Sequence, residues 1–160
     1  IVVAAKTDQS AGAKGISLVL LDTKNAEGFS RGKPLKKLGL KGNDTAELFF
    51  DNVKIPLTNL IGNEEGQGFY QMMNQLPWER LLIGITALGA IDFALHETIK
   101  YVQDRKAFGK RIMDLQNTRF KLAEAKTKAE VFRSFVNECI ARLIKGKLDA
   151  ATASMANRAV

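Results

Sequence analysis

The sequence predicts an α+β fold: part of an antiparallel, barrel-like β-domain followed by part of an up-down helical bundle. Three observations predict it. Short apolar runs bounded by Gly, Asn and Ser occupy the first third of the chain. Beyond Gly68 the apolar residues recur instead at spacings of three and four, the period of a helix. Between the two regimes lies Gly62-Asn63-Glu64-Glu65-Gly66-Gln67-Gly68, a loop whose carboxylates suit the approach to a helix N-terminus. The boundary this implies separates residues 1–60 from residues 61–160.

Residues 1–6 and 16–22 read as strands, and residues 45–55 form a third apolar segment that Pro56 ends. Gly39, Gly42 and the Asn43-Asp44 pair mark the turn before it. From Gly68 a helical segment runs to about Asp104. Pro77 inside it predicts a kink or a fresh start, with Pro77 at the first helical position. Residues 81–95 are apolar nearly all round, which predicts a helix packed on several sides. A loop at 105–114 leads to a second helix over 115–145, with Leu122, Ala125, Ala129, Phe132, Val136, Ile140 and Leu143 on one face. Gly146 suits its C-cap, and Asp149 suits the N-cap of a third helix running from Ala150 to Val160. Three such helices need a fourth member or a partner to cover their faces.

A hydrophobic content of 46% with 26% charged residues belongs to a globular chain. The most apolar run, Leu81 to Leu95, is short for a bilayer span and carries Asp92, so no membrane span is expected. A net charge of +7 points to anionic partners: nucleic acid, a membrane surface or phosphorylated metabolites. Its densest cluster, Arg105, Lys106, Lys110 and Arg111, encloses Phe108 and Gly109. Cys139 is the sole cysteine, so neither a disulfide nor a thiolate metal site can be built, and a reducing compartment suits the chain. Ile1 reads as the middle of a strand and Val160 as the interior of a helix, so the sequence reads as a fragment.

Two places carry candidate chemistry. Glu79 lies in Leu-Pro-Trp-Glu-Arg-Leu-Leu at the mouth of the most apolar helix. A carboxylate half-buried beside Trp78 and Leu82 would have its pKa raised toward that of a general base; equally, Glu in a first turn after Pro is a good helix-start residue. The second is Arg105-Lys106-Ala107-Phe108-Gly109-Lys110. Cations flanking an aromatic ring can hold a phosphate and an adenine, or form an ordinary basic loop. His96, alone of its kind, reads as a structural or surface residue and builds no catalytic triad. Gly66-Gln67-Gly68 is no dinucleotide fingerprint, since position 71 is Gln.

Three motifs in order resemble one family. Arg105 to Lys110, followed by Leu115-Gln116, resembles the flavin-contacting segment of the acyl-CoA dehydrogenases. Residues 38–56 resemble the last strands of that family's middle β-domain, and residues 60–69 the entry to its helical C-terminal domain. The Leu-Pro-Trp-Glu-Arg-Leu-Leu segment and residues 149–156 resemble the long-chain branch, except that Trp78 stands where a polar residue is more usual. The resemblance implies FAD as cofactor, with Arg105 on the pyrophosphate of a neighbouring subunit's flavin, Phe108 near the adenine and Gln116 completing the contact. It implies acyl-CoA as substrate, Glu79 as the base that removes the α-proton, Tyr70, Pro77 and Arg80 along the acyl-CoA site, and Thr7 near the CoA phosphates. An electron-transferring flavoprotein as partner, a homotetramer, and a bacterial cytoplasm or mitochondrial matrix follow from the same resemblance; a nucleic-acid partner does not. An acyl-CoA oxidase shares much of the pattern. A non-catalytic basic helical binding module is the reading from another class.

Overall fold

The computed structural model describes residues 1–158 of the 160, so the end of the third predicted helix lies outside the described residues. The chain divides into two compact units, Ile1–Met72 and Met73–Val160.

In the first unit, β1 (Val2–Lys6) and β2 (Ile16–Leu20) form an antiparallel hairpin, Val2 opposite Leu20 and Lys6 opposite Ile16. β1 alternates exposed and half-buried residues, the two-residue period of a strand with one covered face. A second antiparallel pair joins β3 (Phe29–Arg31) to β4 (Leu48–Phe50). The Phe29 and Phe50 rings meet across it with centroids 5.4 Å apart. The chain then returns to the first hairpin, where Asn59 Nδ2 donates to the Leu20 carbonyl at 2.9 Å and the Ile61 N–H to that of Leu18 at 2.8 Å. Each sheet has two strands and none closes, so the barrel-like expectation is met only as an open part.

Helix α1 (Gly68–Asp104) starts hard against β2. A Cβ on Gly68 would fall 2.8–2.9 Å from backbone atoms of Ile16, Ser17 and Leu18, so only glycine lets the helix begin there. Pro77 lies inside α1, and the predicted fresh start at Pro77 does not occur. Proline deprives the Met73 carbonyl of its partner at a cost of about 3 kcal/mol. The good helix formers on both sides, and the core contacts from Leu81 onward, outweigh that loss.

In the second unit, α2 (Gln116–Ile144) and α3 (Ala150–Arg158) complete a three-helix assembly. Its core unites Leu81 and Leu88 of α1, Phe132, Val136 and Cys139 of α2, and Ala156 of α3. Each large side chain buried here contributes about 1.5–3 kcal/mol. Gly84 lets α1 and α3 approach: a Cβ there would lie 2.8 Å from the Ala156 carbonyl oxygen. The predicted punctuation between α2 and α3 holds. Gly146, at φ +65°, gives its N–H to the Leu143 carbonyl, and Lys147 gives its own to Arg142, the paired bonds of a Schellman stop. Asp149 then accepts the Thr152 N–H at 2.8 Å and the Thr152 hydroxyl at 2.6 Å.

One expectation for α1 is corrected. Residues 81–95 are not packed on several sides: Leu82, Ile83 and Phe93 are 39%, 53% and 69% exposed. Only the face carrying Leu81, Gly84 and Leu88 meets α2 and α3. The helix runs from Gly68 to Asp104, as expected. It contains an 18-residue window of mean hydropathy 1.4, long and apolar enough to cross a membrane by length and composition. Asp92 lies within α1 and pairs with Arg133 of α2, a contact that marks α1 as a bundle helix.

Candidate functional site

The predicted site residues fall in three places. Thr7 and Tyr70 belong to the first unit. Thr7 follows β1 and is exposed, with its Oγ1 2.8 Å from the hydroxyl of Ser17, a buried residue of β2. Tyr70, in the first turn of α1, is 42% exposed, its ring edge-on to that of Phe69.

The second place is the α1 segment after Pro77. Residues three and four apart share a helix face, so Glu79 shares one with Leu76, Leu82 and Ile83. The same face continues through Thr86 to Phe93, an apolar stripe open to solvent and headed by a carboxylate. Glu79 itself is exposed, as are Trp78 and Leu82, so the expected half-burial among these neighbours is not met. The reason is geometric: α2 and α3 cover the opposite face of the helix, through Leu81, Gly84 and Leu88. No ion pair holds Glu79 among the described residues. Its neighbour Arg80 is committed, donating from Nη1 to Ser154 Oγ of α3 at 2.6 Å. Ser154 in turn donates to the Ala150 carbonyl at 2.5 Å. Nothing in the sequence announces this tether, because its two ends stand 74 residues apart.

The third place is the far end of α1. The expected loop is a tight β-hairpin of β5 (Lys106–Ala107) and β6 (Lys110–Arg111). Phe108 and Gly109 form its tip at φ +53° and +77°, the left-handed pair that a two-residue hairpin requires. Phenylalanine rarely adopts that conformation, and here it leaves the ring 93% exposed. The Arg105 carbonyl accepts the Ile112 N–H at 2.8 Å, which closes the hairpin onto the helix end. The four cations of the cluster are not equivalent. Arg111 is held bidentately by Asp114, at 2.9 and 3.1 Å. These bonds push the Asp114 carboxyl below its ordinary range and the Arg111 guanidinium above its own. Arg105, Lys106 and Lys110 have no ion-pair partner among the described residues. An exposed ring among unpaired cations suits a group that combines phosphates with an adenine. Gln116, at the first position of α2, is exposed.

Arg105 and Glu79 are not brought together. At 1.5 Å per residue the helix between them spans roughly 38 Å. His96 is a surface residue, its side chain 78% exposed beside Glu97.

The two-stranded antiparallel pieces, the helical assembly and the basic hairpin between α1 and α2 define a class of protein. Residues 66–159 match the family model described as acyl-CoA dehydrogenase, C-terminal domain. The long-chain specific acyl-CoA dehydrogenase of Rattus norvegicus mitochondria is 47% identical over 158 residues, 98% of this chain and 36% of that enzyme. The caffeyl-CoA reductase–Etf complex subunit CarC of Acetobacterium woodii is 39% identical over 97% of this chain and 40% of its own length. The crystal structure of an acyl-CoA dehydrogenase from Geobacillus kaustophilus superposes with a TM-score of 0.92 at 44% identity, over 98% of this chain and 41% of that one. This chain belongs to the acyl-CoA dehydrogenase family. It spans well under half the length of the relatives it matches.

Proposed function

We propose that this chain is the part of a flavin-dependent acyl-CoA dehydrogenase that carries the catalytic base, Glu79. On this reading residues 1–60 are the C-terminal part of the middle β-domain and residues 61–160 the N-terminal part of the helical domain. The observation that carries the proposal is the α1 stripe: a carboxylate without an ion pair among the described residues heads a solvent-open apolar face, in a chain closely related to a long-chain enzyme.

The reaction is α,β-desaturation of an acyl-CoA thioester. An α-proton of a thioester is weakly acidic, so its removal needs a base in a dry, low-dielectric setting. Leu82, Ile83 and Trp78 offer the apolar surface against which an acyl chain lies and from which it displaces water. Glu79 then takes the α-proton. Tyr70, Pro77 and Arg80 line the acyl-CoA site, and Thr7 meets the CoA phosphates. When bound, FAD would supply the hydride acceptor for the β-hydrogen. Arg105 and Lys106 suit its pyrophosphate and Phe108 its adenine side, with Gln116 completing that contact. The span between Glu79 and Arg105 supports assigning Arg105 to the flavin of a neighbouring subunit in a homotetramer. An electron-transferring flavoprotein would be the electron acceptor, in keeping with the complex named for the Acetobacterium relative. A mitochondrial relative and a bacterial one support a mitochondrial matrix or a bacterial cytoplasm as the compartment.

The visible spectrum of the flavin-loaded enzyme containing this segment tests the proposal. A long-chain acyl-CoA bleaches the flavin bands, and Glu79→Gln slows bleaching at least 100-fold, about the lower bound for losing a general base, while the flavin stays bound. Bleaching at the wild-type rate in E79Q would place the base elsewhere, and an enzyme without flavin would overturn the assignment. Reoxidation by oxygen as fast as by the flavoprotein acceptor would make it an oxidase.

A further inference from the structure

Three polar groups of the first unit form a directed chain of hydrogen bonds. Ser17 is 1% exposed. Its Oγ accepts the Gly66 backbone N–H at 2.8 Å and lies 2.8 Å from Thr7 Oγ1. An amide can only donate, so the direction of the first bond is fixed. The Ser17 hydrogen then has one acceptor within reach among the described residues, Thr7 Oγ1, and leaving a buried hydroxyl hydrogen unpaired is costly. Ser17 therefore donates to Thr7, and the hydrogen of Thr7 is left over. Within the unit that hydrogen meets only the Gly15 carbonyl, at 3.4 Å, a long and weak contact. The frame behind it is close-packed: a Cβ on Gly66 would come within 2.2 Å of the Lys14 carbonyl oxygen. The adjacent carboxylate, Asp8, is turned to the Ser10 N–H and hydroxyl at 2.8 and 2.6 Å, which leaves the Thr7 hydroxyl as the outward donor.

We infer that Ser17 is a positioning residue for the substrate: it accepts from Gly66, donates to Thr7, and so presets the exposed Thr7 hydroxyl as a donor to a phosphate oxygen of the CoA moiety. This rests on the reading of Thr7 as a CoA contact given above. It adds a residue that touches no substrate, and it predicts a preference for an acceptor at this point. A serine between a backbone amide and a second hydroxyl has one stable proton order, and that order points outward.

The test compares KM for a long-chain acyl-CoA with KM for the matching acyl-pantetheine, which keeps the thioester and lacks every phosphate. Both are measured on the flavin-loaded enzyme containing this segment. Thr7→Val is expected to raise KM for the acyl-CoA about tenfold, the loss of one hydrogen bond to a charged acceptor, and to leave acyl-pantetheine unchanged. Ser17→Ala is expected to shift KM in the same selective way, with kcat unaltered, and the double variant to be no worse than Thr7→Val alone. Because Ser17→Ala strands the Gly66 amide, Ser17→Cys, which keeps a weak donor and acceptor, serves as the second variant and is expected to fall between. An unchanged acyl-CoA KM in the Ser17 variants, with Thr7→Val still selective, overturns the positioning role alone. An equal rise for both substrates means a structural role and also overturns it. Absence of any selective effect in Thr7→Val removes the phosphate contact and the inference together. Glu79 is read separately, by flavin bleaching.

Discussion

Replacing Gly84 by alanine sets two well-sized effects against each other. Alanine is favoured over glycine inside a helix by about 1 kcal/mol. At position 84, however, the new Cβ would lie 2.8 Å from the Ala156 carbonyl oxygen and 3.3 Å from its carbon, both backbone atoms that no rotamer change can move. Forcing an extra methyl into such a contact costs about 1–3 kcal/mol. The expected net change is a loss of up to about 2 kcal/mol, taken up by displacing α3. Gly89 supplies the internal control, because a Cβ there meets nothing within 4 Å. Gly89→Ala is expected to gain about 1 kcal/mol from propensity alone. Urea denaturation followed by helix circular dichroism measures both. If Gly84→Ala stabilises as much as Gly89→Ala, the α1–α3 approach is looser than described and the argument from contact distance is wrong.

The Asp149 cap gives a pH prediction. Hydrogen bonds from the Thr152 hydroxyl and amide lower the Asp149 pKa below its usual 3.8. A carboxyl depressed in the folded state contributes stability that is complete above the unfolded value and lost as pH falls through the folded one. The protection factor of the Thr152 amide, its exchange rate relative to that of an unstructured peptide at the same pH, is therefore expected to fall on acidification below about pH 4, and Asp149→Asn, which keeps the capping oxygen, to remove that dependence. A pH profile unchanged in the Asn variant would show that other carboxylates open α3. Cys139 is fully buried, and burial raises its thiol pKa. A thiol reagent is expected to modify it only as the helices open, at a rate that climbs with denaturant; reaction in native buffer at the speed of a free thiol would contradict the packing.

Most of the helical part was legible because its signals are local. The three-and-four spacing of Ala129, Phe132 and Val136 placed α2, and single residues, Gly146 and Asp149, placed the break after it. What escaped prediction depends on partners far along the chain. β3 is three residues long and exists as a strand only through its pairing with Leu48–Phe50. Pro77 carries a strong local signal for a boundary, and tertiary packing of the following turns overrode it. The apolar run after Leu81 reads as buried on all sides, yet sequence hydrophobicity cannot say which face a neighbour covers. The same gap explains Glu79: its chemistry was visible as a carboxylate in apolar company, while its exposure depends on where α2 and α3 lie. The Thr7–Ser17–Gly66 chain includes a bond between residues 49 apart and leaves no trace in spacing.

The corner between α2 and α3 has a kinetic consequence. Only Lys145 to Asp149 separate the two helices, and both the stop and the start are made by bonds within a few residues. Such a corner needs almost no loop closure, so it can form within the time of helix growth itself. Refolding should therefore begin with α2 and α3 as a preassembled angle. In the folded chain the glycine at position 84 of the long helix is the notch that receives α3 of that angle.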